Sequence, residues 1–274
     1  MTPRYAVFGQ PIAHSLSPRI HAMFGAQFDI AIDYRTIETS RAGFAAALDA
    51  FARDGGLGAN VTLPLKEDAF ALSIDATERA RRCCSVNTLI RSGQSWRGDS
   101  TDGIGLLRDL RLRLGFDVAT QRCILLGAGG AARAVAFALV DAGAANVTIA
   151  NRTSERARAL ASAIGNPARV DVLAWDALAV EPAFDLVIDA TSAGHAGAAL
   201  DLPQTLVSAH SVCYELSYGS AAAPFLAWAR ETGVARASDG LGMLVEQAAE
   251  SFAIWHGKTP DTNAIYDALR AGIG

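Results

Sequence analysis

The run Cys123-Ile-Leu-Leu126, free of any charge, is followed at once by Gly127-Ala-Gly129-Gly130-Ala131-Ala132-Arg133, and this segment constrains the chain more than any other.

 Four consecutive apolar residues suit a strand buried on both faces of a parallel sheet. A strand, a glycine turn and a helix in that order, with G-x-G-x-x-A spacing and Ala132 in third place, form the fingerprint of a loop that holds a dinucleotide pyrophosphate. Gly127 permits the tight turn, Gly129 lets the backbone approach the anion, and the amides and dipole of the helix start favour negative charge. A glycine-rich turn without a ligand is the plainer alternative, but it leaves the coincidence of all three parts unexplained.

The next strand signal, Val147-Thr-Ile-Ala, runs into Asn151-Arg152-Thr153-Ser154-Glu155-Arg156. An acidic residue at that strand end would bind the ribose 2′-hydroxyl of NAD. Two guanidiniums and a hydroxyl suit the extra 2′-phosphate of NADP instead. Thr153 can also cap the following helix, which does not exclude phosphate binding.

The length of 274 residues sets a prior of roughly two domains at about 150 residues each. With 51% hydrophobic and 19% charged residues the chain is not of the disordered class. A net charge of −4 gives no general pull towards nucleic acid or anionic membrane. No apolar run reaches the ~18 residues of a membrane span, and Arg133 interrupts the best candidate. Met1-Thr-Pro-Arg-Tyr leads straight into a strand signal, so no signal peptide is expected. Cys83, Cys84, Cys123 and Cys213 lack CxxC spacing and are expected to be free thiols in a reducing cytoplasm, and the histidines show no metal-ligand pattern.

Strand signals at Tyr5–Phe8, Ile32–Ile37, Gly58–Leu63 and Val86–Ile90 alternate with helical ones, which implies a mostly parallel sheet covered by helices. One helix is expected from Pro18 with Ser17 as its cap, and another carries Phe44, Leu48 and Phe51 on one face before Gly55-Gly56. From Asp102 a helix with Ile104, Leu107, Leu110 and Leu114 on one stripe is expected to bridge two lobes. Further strands are expected at Leu186–Asp189 and Val212–Tyr214, and a last helix over Leu241–His256, ended by Gly257 and Pro260.

Several polar residues of the first half stand out. Ser15 and Ser17 flank Leu16, Asn60 and Thr62 share a face if both lie on one strand, Lys66 follows Pro64, Asn87 interrupts an apolar strand, and Asp102 opens the bridging helix. Taken singly, each has a bland reading as a cap, a turn or a solvated charge. Together they carry a resemblance. The segments Tyr5-Ala-Val-Phe-Gly-Gln-Pro-Ile-Ala-His-Ser-Leu-Ser-Pro, Gly58-Ala-Asn-Val-Thr-Leu-Pro-Leu-Lys, Val86-Asn-Thr-Leu, Asp99-Ser-Thr-Asp-Gly, the Gly127 loop, Asn151-Arg-Thr, Asp239-Gly-Leu-Gly-Met-Leu-Val-Glu-Gln-Ala and Trp255-His-Gly stand in the order found in the shikimate dehydrogenase family. The chain closely resembles that family from residue 5 to about 260.

The resemblance implies reversible NADP-dependent reduction of 3-dehydroshikimate to shikimate, within aromatic amino-acid biosynthesis. It assigns shikimate contacts to Ser15, Ser17, Asn60, Thr62, Lys66, Asn87, Asp102, Tyr218 and Gln247, with Lys66 and Asp102 as the catalytic pair. It assigns NADP contacts to Gly127, Gly129, Gly130, Ala131, Asn151, Arg152, Thr153 and Arg156, with Gly240 and Met243 near the nicotinamide. It implies an α/β chain of two lobes: a substrate-binding domain over residues 1–102, completed by 243–274, and a Rossmann-type NADP-binding domain over 103–242, the C-terminal helix returning to the substrate domain. A cytoplasmic monomer or homodimer without nucleic-acid or membrane partners is expected. Asp189 departs from the Asn frequent in the family, and Ala221-Ala-Ala-Pro224 replaces a more polar approach to Pro-Phe-Leu. The competing readings are an NAD-preferring quinate/shikimate enzyme, a regulatory binder that has lost turnover, and a Rossmann dehydrogenase for another polyol. The arginines and Ser17 count against the first, and the presence of both Lys66 and Asp102 counts against the second.

Overall fold

The computed structural model describes residues 2–194 and 197–272. In chain order its elements are β1 (Arg4–Gly9), α1 (Ser17–Ala26), β2 (Asp33–Glu38), α2 (Phe44–Arg53), β3 (Gly56–Val61), α3 (Lys66–Leu72), β4 (Asp75–Ala76), α4 (Glu78–Cys83), β5 (Thr88–Ser92), β6 (Ser95–Asp99) and α5 (Asp102–Leu114). There follow β7 (Arg122–Leu126), α6 (Gly130–Asp141), β8 (Asn146–Ala150), α7 (Ser154–Ile164), β9 (Val170–Leu173), β10 (Leu186–Asp189), β11 (Val212–Glu215), α8 (Ala223–Glu231), β12 (Arg236–Ser238), α9 (Leu241–His256) and α10 (Asn263–Arg270). The chain divides into two compact units: residues up to Gly105 with Val245–Gly272, and Leu106–Leu244. Residues 1, 273 and 274, which the expected substrate domain includes, lie outside the described residues.

The first unit holds a six-stranded sheet in the order β2-β1-β3-β5-β6-β4. β1 pairs in parallel with β2 and β3, and β4 with β6, while β5 runs antiparallel to both β3 and β6. Alternation along β1 sends Ala6 and Phe8 into a core with Phe44, Leu48, Phe51, Ala59 and Val61. That places the 44/48/51 face of α2 against the sheet, with the Phe8 and Phe44 rings edge to face at 5.6 Å. Tyr5 points the other way and stacks on Trp255 of α9 at 4.6 Å. A Cβ at Gly58 would lie 2.5 Å from the Trp255 indole nitrogen, which donates to the Leu89 carbonyl at 3.1 Å, so only glycine allows this approach.

The second unit holds the sheet order β12-β11-β10-β7-β8-β9, every pair parallel. Counted within the unit this is 6-5-4-1-2-3, the doubly wound dinucleotide-binding order, whose direction reverses between β7 and β10. β7 is buried along Cys123–Leu126, as its unbroken apolar run requires.

Five expectations need correction. Helix α1 starts at Ser17, and no side chain caps it. Thr62 and Asn87 lie just outside β3 and β5, so neither is a strand residue. The buried positions of α5 include Leu106, Asp109 and Leu110, whereas Ile104, Leu107 and Leu114 are only partly covered. Asp109 can be buried because its carboxylate accepts from the Tyr214 hydroxyl at 2.6 Å and from Arg113 at 2.8 Å. Finally, α9 is not the last helix: α10 follows it, with Ile265 and Leu269 buried one turn apart.

Candidate functional site

Lys66 is the first residue of α3 and Asp102 the first of α5. An acidic residue suits a helix start, but a lysine there opposes the dipole, so Lys66 does not serve the helix it begins. Its ammonium donates to Asp102 Oδ2 at 2.5 Å, with the two side chains only 12% and 6% exposed. Shielding from water strengthens such a pair and makes loss of either partner costly.

Asn87 extends this pair into a network. Its amide donates to Asp102 Oδ1 at 3.0 Å, Thr101 Oγ1 at 2.8 Å and Gln247 Oε1 at 3.0 Å, and its carbonyl oxygen accepts from the Thr101 amide at 2.8 Å. Gln247 comes from α9, far along the chain but in the same unit. Asn60, near the end of β3, donates to the Asn87 main-chain carbonyl at 3.1 Å and to Ser251 Oγ at 3.0 Å. The Tyr34 hydroxyl donates to Asn60 Oδ1 at 2.7 Å, and the Ser17 side chain bonds the same hydroxyl. Burial holds the Tyr34 phenol well above its ordinary pKa, so it remains a neutral donor. Ser15 Oγ accepts from the Ser17 amide at 3.3 Å, and Thr62 is half-buried in the turn between β3 and α3.

The structure therefore joins Lys66, Asp102, Asn87, Gln247 and Asn60 directly, and Ser17 through Tyr34. Thr88, Thr101, Ser251 and Tyr34 belong to the same network and were missed by sequence reasoning. Thr88 and Thr101 stand beside singled-out residues in their motifs, and Ser251 is four positions after Gln247 on α9, a spacing that marks one helical face. Tyr34 gives no comparable signal. Tyr218 lies in the second unit, half-buried just before a short 3₁₀ turn at Gly219–Ala222.

In the second unit the glycine turn joins β7 to α6. Gly127 has φ +112°, and a Cβ there would meet the Ala190 carbonyl oxygen at 2.8 Å. Gly129 precedes α6, with open space where its Cβ would be, and Ala132 is fully buried. Gly130 and Ala131 open α6 and are partly exposed. Beyond β8, Asn151 donates to the Thr153 carbonyl at 2.8 Å, and Thr153 precedes α7 without a side-chain cap bond. Arg152 and Arg156 are exposed, and among the described residues neither makes an ion pair, while nearby Arg158 is held by Glu155 at 2.7 Å. Open backbone at Gly129 and two uncommitted guanidiniums beyond β8 fit a pyrophosphate and a 2′-phosphate. Gly240 and Met243 lie at the start of α9: the Gly240 amide donates to the Ser217 carbonyl at 2.8 Å, and the Met243 amide donates to the Tyr214 hydroxyl at 3.2 Å.

A doubly wound sheet with this glycine turn is the architecture of dinucleotide-binding proteins. Family models match residues 7–89 as the shikimate dehydrogenase substrate binding domain, 110–199 as shikimate / quinate 5-dehydrogenase and 240–270 as the shikimate 5′-dehydrogenase C-terminal domain. The shikimate dehydrogenase (NADP(+)) of Stenotrophomonas maltophilia strain K279a is 53% identical over 99% of this chain and 97% of its own length. The chain belongs to the shikimate dehydrogenase family. Among solved structures, an Ael1 enzyme from Pseudomonas putida is similar with a TM-score of 0.89 and 41% identity, covering 97% of this chain and 98% of that one. The Thermus thermophilus shikimate 5-dehydrogenase in complex with NADP(H) and shikimate has a TM-score of 0.83 and 32% identity, covering 98% and 99%.

Proposed function

We propose that the protein interconverts shikimate and 3-dehydroshikimate with NADP, and that Lys66 and Asp102 handle the proton. The Lys66–Asp102 contact of 2.5 Å, buried and tied through Asn87 to Gln247, carries this reading. Bound here, NADP would supply the hydride acceptor for oxidation of the carbinol carbon, and its reduced form the hydride donor for the reverse reaction. Gly127, Gly129, Gly130 and Ala131 would hold its pyrophosphate, and Asn151, Arg152, Thr153 and Arg156 its adenosine end.

In the oxidation the hydroxyl oxygen loses its proton to the Lys66–Asp102 pair as the carbon–oxygen double bond forms. In the reduction the same pair returns a proton to that oxygen. Asp102 orients the ammonium through Oδ2 while its Oδ1 is fixed by Asn87, and the two coupled groups act as one acid–base unit. Ser15 and Ser17 hold the carboxylate, and Asn60, Thr62, Asn87 and Gln247 read the ring hydroxyls, with Tyr218 as a further contact. Such a polar site rejects an analogue lacking a hydroxyl far better than an apolar pocket does.

The units act as a substrate-binding and an NADP-binding domain, divided at about residues 102 and 243. The protein is a cytoplasmic monomer or homodimer with small-molecule partners alone; its net charge of −4 gives no general pull towards nucleic acid or anionic membrane, and among the described residues no helix is long and apolar enough to cross a membrane.

Lys66→Ala tests the assignment. Loss of general acid–base help should lower kcat by ~10²–10⁴-fold with shikimate affinity within a few-fold. A variant that keeps near-normal kcat removes Lys66 from the chemistry.

A further inference from the structure

Asp189 ends β10 and Glu215 ends β11, and the parallel register sets them side by side, so both side chains leave the sheet on the same face. Both residues are buried, at 3% and 2% exposure. Among the described residues no lysine, arginine or histidine pairs with either one. Leu126 of β7 is the register neighbour of Asp189 on its other side, and the nearby titratable groups of β11 and the β12–α9 turn are Tyr214 and Asp239. None of these supplies a positive charge. Two adjacent buried carboxyl groups without a cation cannot both be ionised without a large cost.

Each carboxyl also holds a turn. Asp189 Oδ1 accepts from the Thr191 amide at 2.8 Å, and Glu215 Oε1 accepts from the Ser217 amide at 2.8 Å. The first turn backs onto the glycine loop, since a Cβ at Gly127 would meet Ala190 and the Thr191 nitrogen within 3.2 Å. The second holds Gly240, whose amide donates to the Ser217 carbonyl. Both turns lie at the carboxyl ends of the strands, where doubly wound sheets bind their ligands.

We propose that Asp189 and Glu215 hold one proton between them, and that this acid–carboxylate pair positions the Thr191 and Ser217 turns for NADP. The positioning role rests on the cofactor reading above. Burial first, then the Asp189 charge and its hydrogen bond, pushes the Glu215 carboxyl up to about 9. A carboxyl raised on folding contributes stability that is full below its ordinary pKa and is lost as pH rises towards the folded value. The folded-to-unfolded ratio should therefore fall by about tenfold per pH unit across that window and level off above it.

The experiment compares thermal unfolding of the protein without NADP between pH 6 and 10 for the wild type, Asp189→Asn and Glu215→Gln. Glu215→Gln removes the titrating carboxyl, and Asp189→Asn removes the neighbouring charge and offers an amide donor to the Glu215 carboxylate, so both weaken the linkage. The wild-type Tm is expected to drop relative to either variant up to about pH 9, with the difference constant beyond. NADP dissociation constants, read by fluorescence, should rise severalfold more in the wild type than in Asp189→Asn between pH 7 and 9.5. Tm profiles that stay parallel across the whole range overturn the shared proton, and parallel binding profiles overturn the positioning role. A wild type that binds no NADP at pH 7 overturns the cofactor reading and the positioning role with it, while the thermal comparison still decides the proton.

Discussion

Arg152 shows what a single side chain carries here. It is exposed and, among the described residues, without an ion-pair partner, so its removal costs the fold little. A hydrogen bond to a charged group contributes about 1.5–3 kcal/mol, so Arg152→Ala should weaken NADP by roughly 10- to 100-fold while leaving NAD nearly unchanged. Titrating both cofactors checks this, and equal losses would place the 2′-phosphate elsewhere. Arg152 was legible because it follows a strand at a fixed distance from the glycine loop. Lys66 and Asp102 were legible only through resemblance, since residues 36 positions apart meet by tertiary folding. Tyr34 was not legible at all: its role comes from the hydroxyl it turns towards Asn60, and nothing in Asp33-Tyr-Arg announces that.

At the scale of elements, α9 decides how the first unit holds together. Phe252 is fully buried, with the Phe24 ring at 5.7 Å, Phe28 at 5.8 Å and His256 at 4.4 Å. Phe252→Ala keeps a good helix former but empties this site, and should lower stability by about 3–5 kcal/mol in urea unfolding. A loss under about 1 kcal/mol would show that the cluster repacks around the gap. Helix α9 was readable because its apolar period is long and Gly257 ends it. Strand β6 was missed because Trp96 is the one large apolar residue in Ser95–Asp99, so its alternation is too faint, although the two-residue turn Gly93-Gln94 was an available hairpin signal. Helix α10 was missed because only Ile265 and Leu269 mark its buried face.

For the molecule as a whole, the central strands β7, β10 and β11 of the second unit were the most legible part, because strands buried on both faces read as apolar runs, whereas the half-covered edge strands β9 and β12 gave no such run. The mixed sheet of the first unit was harder, because hydrophobic periodicity barely records the β5–β6 hairpin and does not show that β5 also runs antiparallel to β3. Likewise, the hydrogen-bonded set around Asn87 draws on β3, β5, α5 and α9 and exists only once the chain is folded. Shikimate oxidation with NADP is read by following the NADPH absorbance band after mixing the purified protein with NADP and shikimate, then with quinate or NAD in their place. Rapid NADPH formation is expected from shikimate and NADP, with much slower turnover for either replacement. No NADPH from shikimate, or faster reaction with quinate and NAD, would overturn the assignment of substrate and cofactor.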